Sequence, residues 1–181
     1  NWASNVALFT DAVERIDTPY VRMQLGIALN EQRDPEALPL LLSALESAPA
    51  ECGATTGAIA ATLSFSPPAS RESYLTRIDA SGCETPDEAL HGRALLAALC
   101  GRESEVRALR DRAAATQASA TTLAANFGPV DGYLAGVETG EAGIRTWLST
   151  QPDPAASART LARIFRDGGH ADLADMTLMI P

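Results

Sequence analysis

Apolar positions recur along most of this chain at intervals of three and four residues, the spacing of one face of an α-helix. Residues 4–16 carry Val6, Phe9, Val13 and Ile16 behind Ser4, a residue suited to capping a helix start. Thr18-Pro19 joins a cap to a first-turn proline and opens a segment to about 32, with Val21, Leu25, Ala28 and Leu29 on one face. Asp34-Pro35 starts a third stripe of Ala37, Leu38, Leu41, Ala44 and Leu45, closed by Pro49. Helices are expected again over 53–65 and 70–80. Another, over 86–100 behind Thr85-Pro86, ends at Gly101 and is followed by one over 102–115. The pattern loosens after residue 116. A helix over 117–127 is expected to stop at Pro129 and the neighbouring glycines, followed by two short helices over about 130–137 and 141–149. Asp153-Pro154 caps a helix to about Arg166, and Gly168-Gly169 turns the chain into a closing helix over 170–179.

These helices fall into pairs. Ala28-Leu29, Thr62-Leu63, Ala98-Leu99 and Ile164-Phe165 sit at matching places late in the first helices. A spacing of roughly 35 residues is the signature of stacked helical hairpins. One hairpin cannot bury its own apolar stripe, whereas a stack makes a continuous core. The pattern therefore predicts an all-α, right-handed α-solenoid of about five hairpins in one domain spanning 1–181. Its units are an N-terminal helix over 4–18, then 19–49, 53–82, 85–116, 117–150 and 153–180.

The segment PYVRMQLGIALNEQRDPEALPLLLSAL resembles a HEAT-type repeat, in particular the short bacterial HEAT-like repeats of phycobilisome-lyase-related proteins. The resemblance rests on Pro19, Val21-Arg22, Ala28-Leu29, Asp34-Pro35, Ala37-Leu38 and Leu41. Later units share the layout only: Gly92 stands where the family has arginine, and 102–104 lacks the Asp-Pro turn. The final GGHADLADMTL is similar to a tetratricopeptide-type hairpin. Such families imply protein-binding solenoids and no particular reaction.

Composition narrows the partner. The chain has 181 residues, is 46% hydrophobic but 5% aromatic, and carries a net charge of −9. All 14 basic residues are arginine, a bias that a GC-rich coding sequence produces. An acidic chain lacks the basic footprint of a nucleic-acid binder, and no apolar run reaches the length of a membrane span. The expected partner is another protein, with no nucleic acid and no integral membrane span. Because the chain begins at Asn1 rather than Met, trimming or processing is expected.

Candidate chemistry is sparse. Glu88-x-x-His91 has the spacing of a di-iron half-site but no matching second pair. His170, Asp172 and Asp175 read as an acidic helix start rather than an ion site. Cys100 reads as a core residue. Neither a nucleophile elbow nor a phosphate loop is present. Cys52 and Cys83, each just before the first helix of its unit, are a candidate disulfide. A bridge there would place the protein in an oxidising compartment, so an exported location is favoured over the cytoplasm. The run RESEVRALRDR over 102–112 reads as a solvated face laced with i,i+4 ion pairs. Its functional alternative is a partner-binding groove carrying Arg107 and Arg110, with Arg71 and Arg77 one unit earlier.

The leading expectation is a non-enzymatic protein–protein interaction module or scaffold subunit with no cofactor. One alternative is an immunity-type inhibitor of a basic enzyme. The other is an enzyme in the irregular unit 128–150, where Asp131, Tyr133 and Trp147 cluster.

Overall fold

The structure, a computed structural model, describes residues 4–48, 52–116 and 120–180, with side chains from 123 onward in the last segment. Among these residues it has eleven α-helices and no strand. The helices are α1 Asn5–Arg15, α2 Pro19–Glu31, α3 Ala37–Ser47, α4 Thr55–Phe65, α5 Arg71–Ala80 and α6 Leu90–Leu99. They continue with α7 Glu103–Thr116, α8 Ala120–Thr139, α9 Glu141–Leu148, α10 Pro154–Asp167 and α11 Ala171–Met179. Contacts divide the chain into two compact units, Asn1–Ala89 and Leu90–Pro181.

Three of the five expected caps form at helix starts. Ser4 Oγ accepts the Ala7 N–H at 3.2 Å, Thr18 Oγ1 that of Val21 at 3.3 Å, and Asp153 Oδ1 that of Ala156 at 2.9 Å. Two starts differ. Asp34 accepts from the Glu36 N–H at 3.0 Å, a local turn that delays α3 to Ala37. Thr85-Pro86 opens a 3-10 turn, in which the Ala89 N–H returns to the Pro86 carbonyl at 2.9 Å, so α6 begins only at Leu90. Pro49, the expected stop, lies outside the described residues.

In the first unit α2 packs on α1, α3 and α4, and α5 packs on α3 and α4. Leu38, Leu41, Leu42, Leu45, Ile59 and Ile78 interlock with Ala37, Ala44, Ala54, Ala58 and Ala61. Each fully buried aliphatic side chain contributes about 1.5–3 kcal/mol. By contrast α1 buries no residue, and Ile16 and Tyr20 are exposed.

In the second unit α6, α8 and α10 touch one another pairwise, α7 packs on α6 and α8, α9 on α8 and α10, and α11 on α9 and α10. The expected break near residue 128 does not occur: α8 runs unbroken through Gly128-Pro129 to Thr139. A residue before proline is driven from helical geometry largely by its Cβ, which Gly128 lacks. Gly132 and Gly136 are there for contact. A Cβ on Gly132 would lie 2.8 Å from the Trp147 ring, and one on Gly136 would lie 2.3 Å from Phe165. The turns after α6 and α10 also meet: a Cβ on Gly101 would be 2.6 Å from the Gly168 carbonyl oxygen. Gly101 further has φ +69°, and the Arg102 N–H returns to the Ala97 carbonyl at 2.9 Å, the closure expected where a glycine ends a helix.

Replacing Gly136 with alanine forces Phe165 and Ile144 to move, although alanine is the better helix former. Chemical denaturation should show a loss of about 1–3 kcal/mol. In the Gly136→Ala/Phe165→Leu double variant the loss should be smaller than the sum of the two single losses. Additive losses would mean that this contact does not set the packing.

Candidate functional site

Arg77, Arg107 and Arg110, on second helices of the pairs, are tied to neighbouring helices. Arg77 on α5 donates from Nε to Glu46 Oε1 on α3 at 2.6 Å, with its guanidinium 6.0 Å from the Tyr74 ring. That hydrogen bond, the larger effect, and the attached charge hold the Glu46 carboxyl below its usual range. In the second unit Arg107 pairs with Glu138 of α8. Arg110 donates to Asp131 of α8 at 2.6 Å, its guanidinium 5.7 Å from the centre of the Phe127 ring. The pairs of Arg107 and Arg110 therefore run between helices rather than along one, as the i,i+4 reading of 102–112 expected. A partner meets these arginines as ion pairs with limited residual charge, not as bare cations. Arg71, the first residue of α5, is half-buried. It and Arg77 belong to the first unit, Arg107 and Arg110 to the second.

The second unit also contains a buried charge that periodicity hides. Arg93, on the apolar helix α6, is 5% exposed. Its Nη2 lies 2.6 Å from Glu105 Oε1 of α7, and Arg102 reaches the other oxygen of that carboxylate at 3.2 Å. A charged group is buried only when paired in this way.

Nearby, Tyr133 is fully buried on α8. Its hydroxyl lies 3.2 Å from His170 Nε2, which is 3.4 Å from Glu103 Oε1. Burial, reinforced by the Glu103 carboxylate, pushes the Tyr133 phenol up to about 12. The phenol therefore stays protonated over the ordinary pH range.

The three residues singled out in the irregular unit do not converge. Asp131 faces Arg110, Tyr133 is enclosed against Phe165 and His170, and Trp147 is half-buried at the surface. Glu88 lies in the 3-10 turn and His91 on α6, both exposed, so their spacing does not span one regular helix. His170 turns toward Tyr133, while Asp175 is paired with Arg166 at 3.2 Å. No group of three or more His, Cys, Asp or Glu among the described residues is placed to hold a metal ion. Cys100 is half-buried at the end of α6.

Trp147 instead separates two open depressions. One, about 170 Å³, is lined by Pro129, Trp147, Gln151, Ala156, Ser157 and Thr160. The other, about 450 Å³, lies over small residues that include Ala135, Ala142, Gly143 and Thr146. Their walls are apolar surface carrying a few hydroxyls, a place for one or two side chains rather than for an enclosed substrate.

Cys52 and Cys83 lie at disulfide distance, with Cα atoms 5.3 Å apart. Cys52 opens the turn before α4 and Cys83 follows α5, so the link clasps both ends of that helix pair. No family model, curated protein or solved structure matches this chain.

Reduction should add two hydrogen masses to the intact protein. With the cysteines 31 positions apart in the chain, chain-entropy arguments give a stability loss of about 3–4 kcal/mol. An unchanged mass on reduction would mean that no bridge is present. The phenol makes a second prediction. Its folded value of about 12 lies above the ordinary 10.0, so below pH 10 both states hold the proton and stability is intact. As pH rises from about 10 to 12 the unfolded chain releases the proton first, and stability falls. That fall should shrink in Tyr133→Phe, measured by denaturation across the alkaline range.

Proposed function

We propose that this chain is a right-handed α-solenoid of five helix pairs, related to HEAT-like repeats, that works without a cofactor as a protein–protein interaction module or scaffold subunit. The observation that carries this reading is the order of packing within each unit. The pairs α2–α3, α4–α5, α6–α7, α8–α9 and α10–α11 are each packed together, and helices one and two positions apart in the chain account for most of the remaining contacts. Such an arrangement spreads its surface over many helices and builds its core from neighbours. The direct contact of α6 with α10 makes the second unit tighter than a strictly nearest-neighbour stack.

The proposed partner surface is that of the second helices, Arg71 and Arg77 belonging to it in the first unit and Arg107 and Arg110 in the second. The side chains of Arg77 and Arg107 are 39% and 43% exposed, so an acidic group on a partner can compete for them at the rim. The Cys52–Cys83 pair supports an exported location, since such bridges persist in oxidising compartments.

Affinity capture from the native source, followed by chemical cross-linking, tests the reading. A stoichiometric protein partner is expected, with cross-links spread over several helix pairs. Recovering no protein, with a metal ion or small molecule retained in the native mass spectrum, would overturn it.

A further inference from the structure

Most of the arginines are committed to partners within the fold, and that commitment isolates the exceptions. Arg15, Arg22, Arg77, Arg93, Arg102, Arg107, Arg110, Arg145 and Arg166 each pair with an acid. Arg33, Arg159 and Arg163 meet no acid among the described residues; Arg33 stands alone in the turn after α2, whereas Arg159 and Arg163 are both exposed on α10, one turn apart.

Their position on the helix matters. Ala156 and Thr160 of α10 line the smaller depression beside Trp147. At about 100° per residue, Arg163 falls about 20° from the direction of Ala156 and about 60° from that of Thr160. Arg159 lies on the same flank as Arg163, about 40° farther round the helix from Thr160. One edge of an apolar notch thus continues into two unpaired guanidiniums, the first beside the notch and the second about 5 Å beyond Thr160 along the axis.

We propose that this notch and arginine pair are a docking site for an extended acidic peptide segment of a partner protein, a proposal that rests on the interaction-module reading above. An apolar side chain of the segment fills the notch against Trp147 and Pro129. One or two carboxylates then meet Arg163 and Arg159. An extended chain advances about 3.3 Å per residue, so the acid belongs two or three residues from the apolar anchor. Charge selects this occupant. Exposed, unpaired guanidiniums on a protein of net charge −9 are local cationic points in an acidic field. They suit a pair of carboxylates, whereas a nucleic-acid backbone needs a continuous basic track. The tryptophan supplies the large, rigid contact area typical of a binding hot spot.

Selection of a displayed random-peptide library on the whole chain, followed by titration of the enriched synthetic peptides, tests this. Trp147 fluorescence is read in a Trp2→Phe background. Enriched peptides should carry an aliphatic or aromatic residue followed at two or three positions by Asp or Glu, and should shift that fluorescence. Arg159→Glu/Arg163→Glu, on an exposed face where folding is checked by circular dichroism, should weaken them about tenfold or more, as should an acid-to-lysine change in the peptide. Trp147→Phe should weaken them less than Trp147→Ala. Enrichment of no peptide, or of peptides lacking the acid, would overturn the proposal. Binding unmoved by the arginine reversals, or displaced by a single-stranded oligonucleotide, would do the same. If the captured native partner cross-links elsewhere and ignores the reversals, this site fails while the interaction-module reading stands. If no protein partner is captured at all, that reading fails first.

Discussion

The second unit depends on how closely α8 can approach α9 and α10. At Gly132 and Gly136 a single added carbon would collide with Trp147 and with Phe165, and at Gly143 on α9 it would collide with the α8 backbone at Ala135. Helix axes that close together let Tyr133 and Phe165 stack with ring centres 5.5 Å apart in a fully buried site. The same approach fixes Trp147 at the surface, where it lines both depressions. The close contact has a cost. Interior glycines lose about 0.5–1 kcal/mol each relative to alanine, and an interior proline about 3 kcal/mol. Burial of Phe127, Tyr133, Ile144 and Phe165, at about 1.5–3 kcal/mol each, offsets it.

Charge is the second organising constraint. The chain is acidic, yet its arginines form ties between helices: α3 to α5 through Glu46 and Arg77, α6 to α7 through Arg93 and Glu105, and α7 to α8 twice. Half-exposed pairs of this kind add little to stability individually. Their planar, multi-donor geometry instead favours one register of neighbouring helices over another. Arg93 is the exception in energy. Removing Glu105 would take away the carboxylate that meets this buried guanidinium.

Much of the helix plan could be read from the sequence because it rests on local chemistry. The serine, threonine and aspartate caps at Ser4, Thr18 and Asp153, and the glycine stop at Gly101, act through backbone groups within a few residues. So does the 3.6-residue period. The Cys52–Cys83 pairing followed from the repeat length, which puts equivalent positions of successive units near one another. What could not be read was tertiary. Gly132 and Gly136 have the local appearance of helix breakers, and only the ring of Trp147 or Phe165 on another helix explains them. Arg93 looks like a solvent-facing residue until Glu105, 12 positions later, is brought beside it. The link from Tyr133 to His170 spans 37 residues and has no periodic trace. The arginines of α7 were visible, but their acids on α8 lay beyond the reach of an i,i+4 rule.

The irregular stretch from 128 to 150 therefore changes meaning. Read as sequence, it is the most eroded copy of a repeat. In the fold Gly132, Gly136 and Gly143 serve contact, its proline is accommodated within one long helix, and its tryptophan is left at the surface beside small residues. A unit under selection for stacking alone has no need of this combination, since alanine in place of glycine gives a better helix and a conventional spacing serves the core as well. The expensive features converge on the wall that α8 and α9 present around Trp147, and α10 completes that wall with its two unpaired arginines. An aromatic ring beside two open depressions and two cations that meet no acid among the described residues share this wall, and there the packing has been adjusted to leave something available.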